Sequence, residues 1–200
     1  IMVGRTLEEL GLTEEPKPKG YAVKVPVFPF DRFEGFDPVL GPEMRSTGEA
    51  YGWAESFGMA FAKGMMAAGL PLPTRGTVCI SVNDRDKPEM LPIARDFARL
   101  GFELWATRGC AGFLEANGLR ARRVFKVNEG RPNIADHIRN GEVNLLLNTP
   151  LGAPSFYDEQ ALRRAAIKYR VPMLSTLSAA RAAVEGIGLL KRNTVDVRTL

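Results

Sequence analysis

Two kinds of apolar patterning follow one another along the chain. From Thr77 onward, five short apolar runs recur: TVCISV, FELWAT, RRVFKV, VNLLLNT and VPMLST. Runs of this length, bounded by polar turns, predict strands buried on both faces. Between them the apolar spacing is helical. EMLPIARDFARL places Met90, Leu91, Ala94, Phe97 and Ala98 on one face, and EQALRRAAIKY does the same with Leu162, Ala165, Ala166 and Tyr169. Further helices are expected through NIADHIRNG and LSAARAAVEGIGLL, and TRGCAG is expected to open another. Strand–helix alternation of this kind predicts an α/β fold, a five-stranded parallel sheet with flanking helices in three layers. Pro92 falls inside EMLPIARDFARL. A proline in a helix interior costs ~3 kcal/mol, so a kink or a late helix start is expected there.

The first seventy residues read differently. A short helix is expected near Thr6–Leu10, then a strand, YAVKVPV, then the loop FPFDRFEGFDPVLGPEM. Ser46 and Glu49 have capping-box spacing and predict a helix start. Trp53, Phe57, Ala60, Phe61, Gly64 and Ala68 continue it as one stripe, and Gly69 is placed to end it. PLPTRG reads as a linker. So much loop for so little periodic structure is unusual in a free-standing domain. The expected division is residues 1–70 and 71–200.

Composition narrows the function classes. The 200 residues are 45% apolar and 25% charged, the profile of a soluble globular protein. No run of eighteen apolar residues occurs, so no transmembrane helix and no membrane partner is expected. The start, IMVGRTLEELG, lacks the layout of a secretory signal, and Ile before Met reads as a chain cut from something longer. The net charge of +4 is uneven, −2 over residues 1–100 and +6 over residues 101–200. A mildly basic second half suits an anionic ligand or an acidic surface. No basic run with interleaved aromatics occurs, so nucleic acid is not an expected partner. Cys79 and Cys110 are the only cysteines and His137 the only histidine. That excludes a disulfide framework and a zinc site, and fits a cytoplasmic setting.

Ligands of open parallel sheets sit at the carboxyl ends of the strands. Here those ends carry Ser81, with Lys87 six residues on; Thr107, followed by Arg108, Gly109 and Cys110; Lys126, followed by Asn128; Asn148 and Thr149; and Ser175 and Thr176. Lys87, Lys126 and the N–H groups around Gly109 are candidates to hold a phosphate at a helix start. Asn148 and Thr149 are candidates to read a sugar or base edge. One polar strand end is ordinary; five together, with two lysines and a glycine turn, favour an anion site. Cys79 reads as a buried apolar residue. No neighbour in sequence is placed to activate Cys110, so packing is favoured for it. His137 reads as a helix-surface residue, Trp53 and Trp105 as packing, and Arg131 as a tie from its loop to a carboxylate. Arg163, Arg164 and Arg170 read as a solvated face. Nothing forms a nucleophile–base pair, and no phosphate-loop motif of the Walker type occurs.

FDPVLGPEMRSTGE, ELWATRGCAGFL and KVNEGRPNI…LLNTP closely resemble the carboxyl-terminal end of the carbamoyl-phosphate synthetase large subunit, and the similarity runs over essentially the whole chain. The resemblance implies that residues 1–70 are the tail of the second ATP-grasp unit. It implies that residues 71–200 are a regulatory domain of methylglyoxal-synthase-like, Rossmann-type fold. The parent enzyme would make carbamoyl phosphate from bicarbonate, two ATP and glutamine-derived ammonia, for arginine and pyrimidine synthesis. It would use Mg or Mn and a small glutaminase subunit, and this part alone would be non-catalytic and without cofactor. In members regulated by UMP or IMP, the effector's phosphate and ribose lie at the strand ends. Ser81, Lys87, Thr107, Gly109, Lys126, Asn148 and Thr149 match those positions. Cys110 and Pro150 replace hydroxyls. In members activated by ornithine, Ser175 would keep a partner hydroxyl, but Val25 stands where an acidic residue is needed. Two rivals are a free-standing methylglyoxal-synthase-like lyase, which lacks its Gly-Gly-Asp segment here, and a phosphate-binding or subunit-association domain without effector control.

Overall fold

A computed structural model describes residues 1–15, 17–28, 44–149, 156–192 and 195–197. Residues 29–43 of the expected loop, and Pro150, lie outside the described residues.

The five apolar runs form a parallel sheet. Its strands are β3 (Thr77–Ser81), β4 (Glu103–Thr107), β5 (Arg122–Val124), β6 (Leu145–Asn148) and β7 (Met173–Leu174), ordered β5-β4-β3-β6-β7. The three central strands are the most apolar, as a sheet covered on both faces demands. Alternate residues feed two separate cores. Val78, Ile80, Leu104, Ala106, Leu145 and Leu147 face one side, where α2 (Lys87–Arg99), α3 (Arg108–Ala116) and α6 (Leu177–Leu190) cover them. Cys79, Trp105, Val124 and Leu146 face the other, under α4 (Ile134–Arg139) and α5 (Phe156–Lys168). The fold is therefore the three-layer α/β sheet expected from the pattern.

The first helix of the sheet unit starts at Lys87, not after Pro92, so the expected late start is corrected. Pro88 occupies its first turn, where a missing N–H costs nothing, and Pro92 is on an exposed position. Arg131 reaches Asp136 at 3.5 Å, the expected tie. Asn133 and Asp136 form a reciprocal cap that starts α4.

Residues 1–70 need more correction. Thr6–Leu10 forms turns rather than a helix, although Thr6 and Glu9 exchange the hydrogen bonds of a helix cap. β1 (Tyr21–Val27) is where the sequence places it. The segment around Glu49 and Trp53 is strand β2 (Gly48–Ala54), paired antiparallel with β1, and not the start of a helix. Ala50, Gly52 and Ala54 are buried in alternation, the period of a strand. The helix α1 (Phe57–Ala67) begins later, capped by Ser56 through the N–H of Met59. Gly69, in the left-handed region at φ +79°, closes it as expected.

Glycines let α1 lie close to its neighbours. A Cβ on Gly52 would stand 2.1 Å from the Ala60 carbonyl oxygen, so α1 rests directly on β2. On its other flank α1 crosses α6, and a Cβ on Gly186 would stand 2.5 Å from the Gly58 carbonyl oxygen. Ala62 and Met65 of α1 join the core of the sheet unit.

Candidate functional site

Strand register lines up the polar strand ends. Ser81 pairs with Asn148, and Val124 with Thr107. The pair Ile80–Ala106 puts Thr107 beside Ser81, and the pair Leu147–Leu174 puts Ser175 beside Asn148. Thr107, Ser81 and Asn148 each follow by two residues a side chain of the α4/α5-side core, and Ser175 likewise follows Met173, which packs on that core. By strand alternation Thr107, Ser81 and Asn148 share one sheet face, in one row across three adjacent strands, with Ser175 just past the end of the fourth. Thr107 and Asn148 are buried, and the Asn148 Nδ2 donor is buried without a hydrogen-bond partner among the described residues. A buried amide left unpaired costs roughly 1–3 kcal/mol, so such a donor is expected to have a use.

The cationic groups gather at the same edge. Lys87 opens α2, and its ammonium lies 2.6 Å from Asp84 Oδ1. The same ammonium lies 3.2 Å from where a Cβ would stand on Gly109, so the bare glycine leaves room for it. Hydrogen bonding and charge from Lys87 hold the Asp84 carboxyl below the usual carboxylate range, and Lys126 adds to that effect. Both predicted lysines therefore act on one spot, and an exposed aspartate serves them as counter-ion. Thr107 precedes α3 without capping it through its side chain. The N–H groups of the first turn around Gly109 are thus open to an anion.

Two predicted ligand residues have structural duties. Cys110 is buried, and its Sγ bonds both the N–H and the carbonyl of Val82 at 3.4 Å, tying α3 to the end of β3. It presents no sulfur to the strand-end row. The Thr149 hydroxyl oxygen accepts from the backbone N–H of Asn83 at 3.2 Å and from Asn83 Nδ2 at 3.1 Å. Asn83 in turn bonds Asp86, through Nδ2 to the carboxylate and through Oδ1 to the backbone N–H. Ser175 lines a cavity of about 340 Å³ with Thr149, Asp86 and Glu89. Val25 packs on α1 over Gly64 and against the core that includes Leu174 and Leu177.

The turn residues Asn83, Asp84 and Asp86 were missed in the sequence. Their signal was the polar run NDRD directly after a strand, since Asn and Asp favour turns that fold back on their own backbone. His137 is not a surface residue as expected. It is buried against Trp105, with ring centroids 4.9 Å apart, and its Nδ1 meets Glu142 Oε2 at 2.6 Å. That hydrogen bond holds the Glu142 carboxyl below its ordinary range. Burial, aided by Cys110, pushes the Cys79 thiol up to about 12, which makes it inert. Arg163 departs from the expected solvated face, since its Nε is buried without a hydrogen-bond partner among the described residues. Among the described residues no cluster could hold a metal ion, and no helix is long and apolar enough to cross a membrane.

Residues 89–175 match the family described as MGS-like domain. The carbamoyl phosphate synthase large chain of Acidobacterium capsulatum is 52% identical over 90% of this chain and 16% of its own length. That of Pseudomonas putida is 49% identical over 98% of this chain and 18% of its own. The carbamoyl phosphate synthase large chain, C-terminal section, of Methanopyrus kandleri is 50% identical over 99% of this chain and 37% of its own. A crystal structure of methylglyoxal synthase from Elizabethkingia anophelis superposes with TM-score 0.46 at 19% identity, over 63% of this chain and 97% of that one. This chain thus spans under a fifth of the full-length relatives and just over a third of the separate C-terminal section. With an MGS-like domain at its centre and about half its residues shared over nearly its whole length, the chain belongs to the carbamoyl phosphate synthase large-chain family.

Proposed function

We propose that this chain is the effector-binding, regulatory carboxyl-terminal region of a carbamoyl phosphate synthase large chain. The observation that carries the reading is the strand-end row of Thr107, Ser81, Asn148 and Ser175, with Lys87 over Gly109 at the open start of α3. Helix N–H groups and an ammonium suit a phosphate, and the unpaired Asn148 amide suits a sugar or base acceptor. A nucleotide monophosphate such as UMP or IMP has both parts. In this reading residues 1–70 are the tail of an ATP-grasp unit, and residues 71–200 the sensing domain. Bicarbonate, ammonia and ATP, with Mg or Mn, are handled by the rest of the large subunit, ammonia coming from a small glutaminase subunit in the cytoplasm. The chain alone is then non-catalytic. An effector acts by its differential affinity for two states of the whole enzyme.

Calorimetric titration of the 200-residue chain with UMP and IMP tests this, with inorganic phosphate as control. Saturable nucleotide binding, tighter than phosphate, is expected. Lys87→Ala removes a charge-assisted contact and is expected to weaken it by about 10- to 100-fold. No nucleotide binding by the folded chain would overturn the reading. It would favour a phosphate-binding or subunit-association role, which the structural duties of Cys110 and Thr149 would then support.

A further inference from the structure

Beyond the strand-end row, at the edge strand β5, lies a second cavity of about 520 Å³. Its volume is within the about 300–1,000 Å³ usual for small-molecule sites. Arg108, Arg122 and Arg123 line it, against one carboxylate, Glu129. Glu129 is already engaged, since its Oε2 accepts the backbone N–H of Lys126. Arg123 is paired with Glu115 on α3. Arg108 has no carboxylate partner among the described residues, and Arg122 has its guanidinium 4.2 Å from the Trp105 ring centroid without a direct ion pair among them, although its charge also acts on Glu142 behind His137. The cavity therefore holds two arginines whose hydrogen-bonding forks are not consumed by carboxylates.

The other walls are apolar and flat. Phe125 is half exposed here, and Pro132 lies beside it. His137 completes the lining. Its Nδ1 is held by Glu142, which leaves Nε2 as the ring's remaining polar atom. Arg122 lies over the Trp105 ring and His137 meets that ring edge-on, at 78°, so the guanidinium is held in place before any ligand arrives. A fixed planar cation is a better fork for an oxyanion than a freely moving one.

We propose that this cavity is a second anion site, distinct from the strand-end row, for a small organic phosphate that carries a flat ring. Arg108 and Arg122 take the phosphate oxygens, and Phe125 and Pro132 take the ring. The two sites stand on different cations: Lys87 and Lys126 at the row, arginines at the edge.

Phenyl phosphate is the probe, with inorganic phosphate as the ringless control, titrated into the full 200-residue chain. The Trp105 indole N–H resonance is the readout, assigned by Trp53→Phe. Saturable movement of that resonance is expected, at a Kd about three- to tenfold lower for phenyl phosphate than for phosphate, the usual worth of one aromatic contact. Arg108→Ala, an exposed position that leaves the Arg122–Trp105 contact intact, is expected to weaken binding about tenfold, and Arg122→Ala more. Lys87→Ala is expected to leave it unchanged. A Trp105 resonance that stays still would overturn the proposal. So would equal affinity for both probes, or loss on Lys87→Ala, which would assign the anion to the strand-end row alone. Failure of UMP or IMP to bind the row leaves this outcome unaffected.

Discussion

The two halves of the molecule bury their strands in different ways. In the sheet unit, Val78, Ile80, Leu145, Leu146 and Leu147 are wholly buried, with helices on both faces. In the amino-terminal unit, β1 and β2 are covered on one face by α1, while Tyr51 on the other face is about half exposed. A two-stranded sheet is marginal alone. This one is held because α1 packs into the sheet unit's own core through Ala62 and Met65. One region carries its core; the other shares it.

The largest expected effect breaks the region that carries the core. Phe97→Ala empties a fully buried site and is expected to cost ~3–5 kcal/mol in urea unfolding followed by circular dichroism. Tyr51→Ala on the open face is expected to stay within ~0.5 kcal/mol. Equal losses would refute the contrast. The same burial predicts that Cys79 resists alkylation at pH 8 until the protein unfolds, with its thiol pushed up to about 12. Labelling at the rate of a free thiol under native conditions would show that the core opens.

An intermediate effect separates the halves. Gly186→Val drives a side chain into the Gly58 carbonyl and is expected to cost ~1–3 kcal/mol. Hydrogen exchange should then speed up in β1, β2 and α1 while β3 and β6 keep their protection. Uniform loss would mean that the units unfold as one.

The smallest effect concerns the counter-ion. Asp84→Asn frees Lys87 and is expected to tighten phosphate binding about two- to fivefold at low salt. The sign with pH follows from its lowered carboxyl. The pair with Lys87 is present above the ordinary aspartate range and is lost only as pH falls through the lowered folded value. Between pH 5 and 8 Asp84 therefore competes with the anion throughout, and the wild-type and Asp84→Asn affinities should differ by a constant factor there. The same ratio should still hold at pH 3.8, the ordinary aspartate value, and a ratio already half lost there would show an ordinary, uncoupled carboxyl.

The sheet was legible because each central strand is one unbroken apolar run, a local signal. β2 was not, since Ala50, Gly52 and Ala54 are small and Trp53 and Phe57 also fit helical spacing. What decides for a strand is pairing with β1, more than twenty residues away. The strand-end row was legible as residue types, and register then shows which of them stand side by side. The duties of Cys110 and Thr149 were hidden, because Val82 and Asn83 reach them only across the fold. His137 misled in the same way: the helix position looked exposed, and Trp105 on a distant strand covers it.

The crossing of α1 and α6 has a mechanical meaning. α6 is a rod of fourteen residues, roughly 20 Å long at 1.5 Å per residue. Its first turn is capped by Thr176, next to Ser175 at the end of the strand-end row, and its far half bears on α1 at Gly186. At that bearing the Gly186 backbone lies on the Gly58 carbonyl, with only the Ala62 methyl and the Glu185 side chain beside it. A tilt of about three degrees at the capped end would move the far end by about 1 Å, the scale of helix shifts in switching proteins. A contact this close has little room to absorb such a movement, so it would pass to α1 and the strands beneath it.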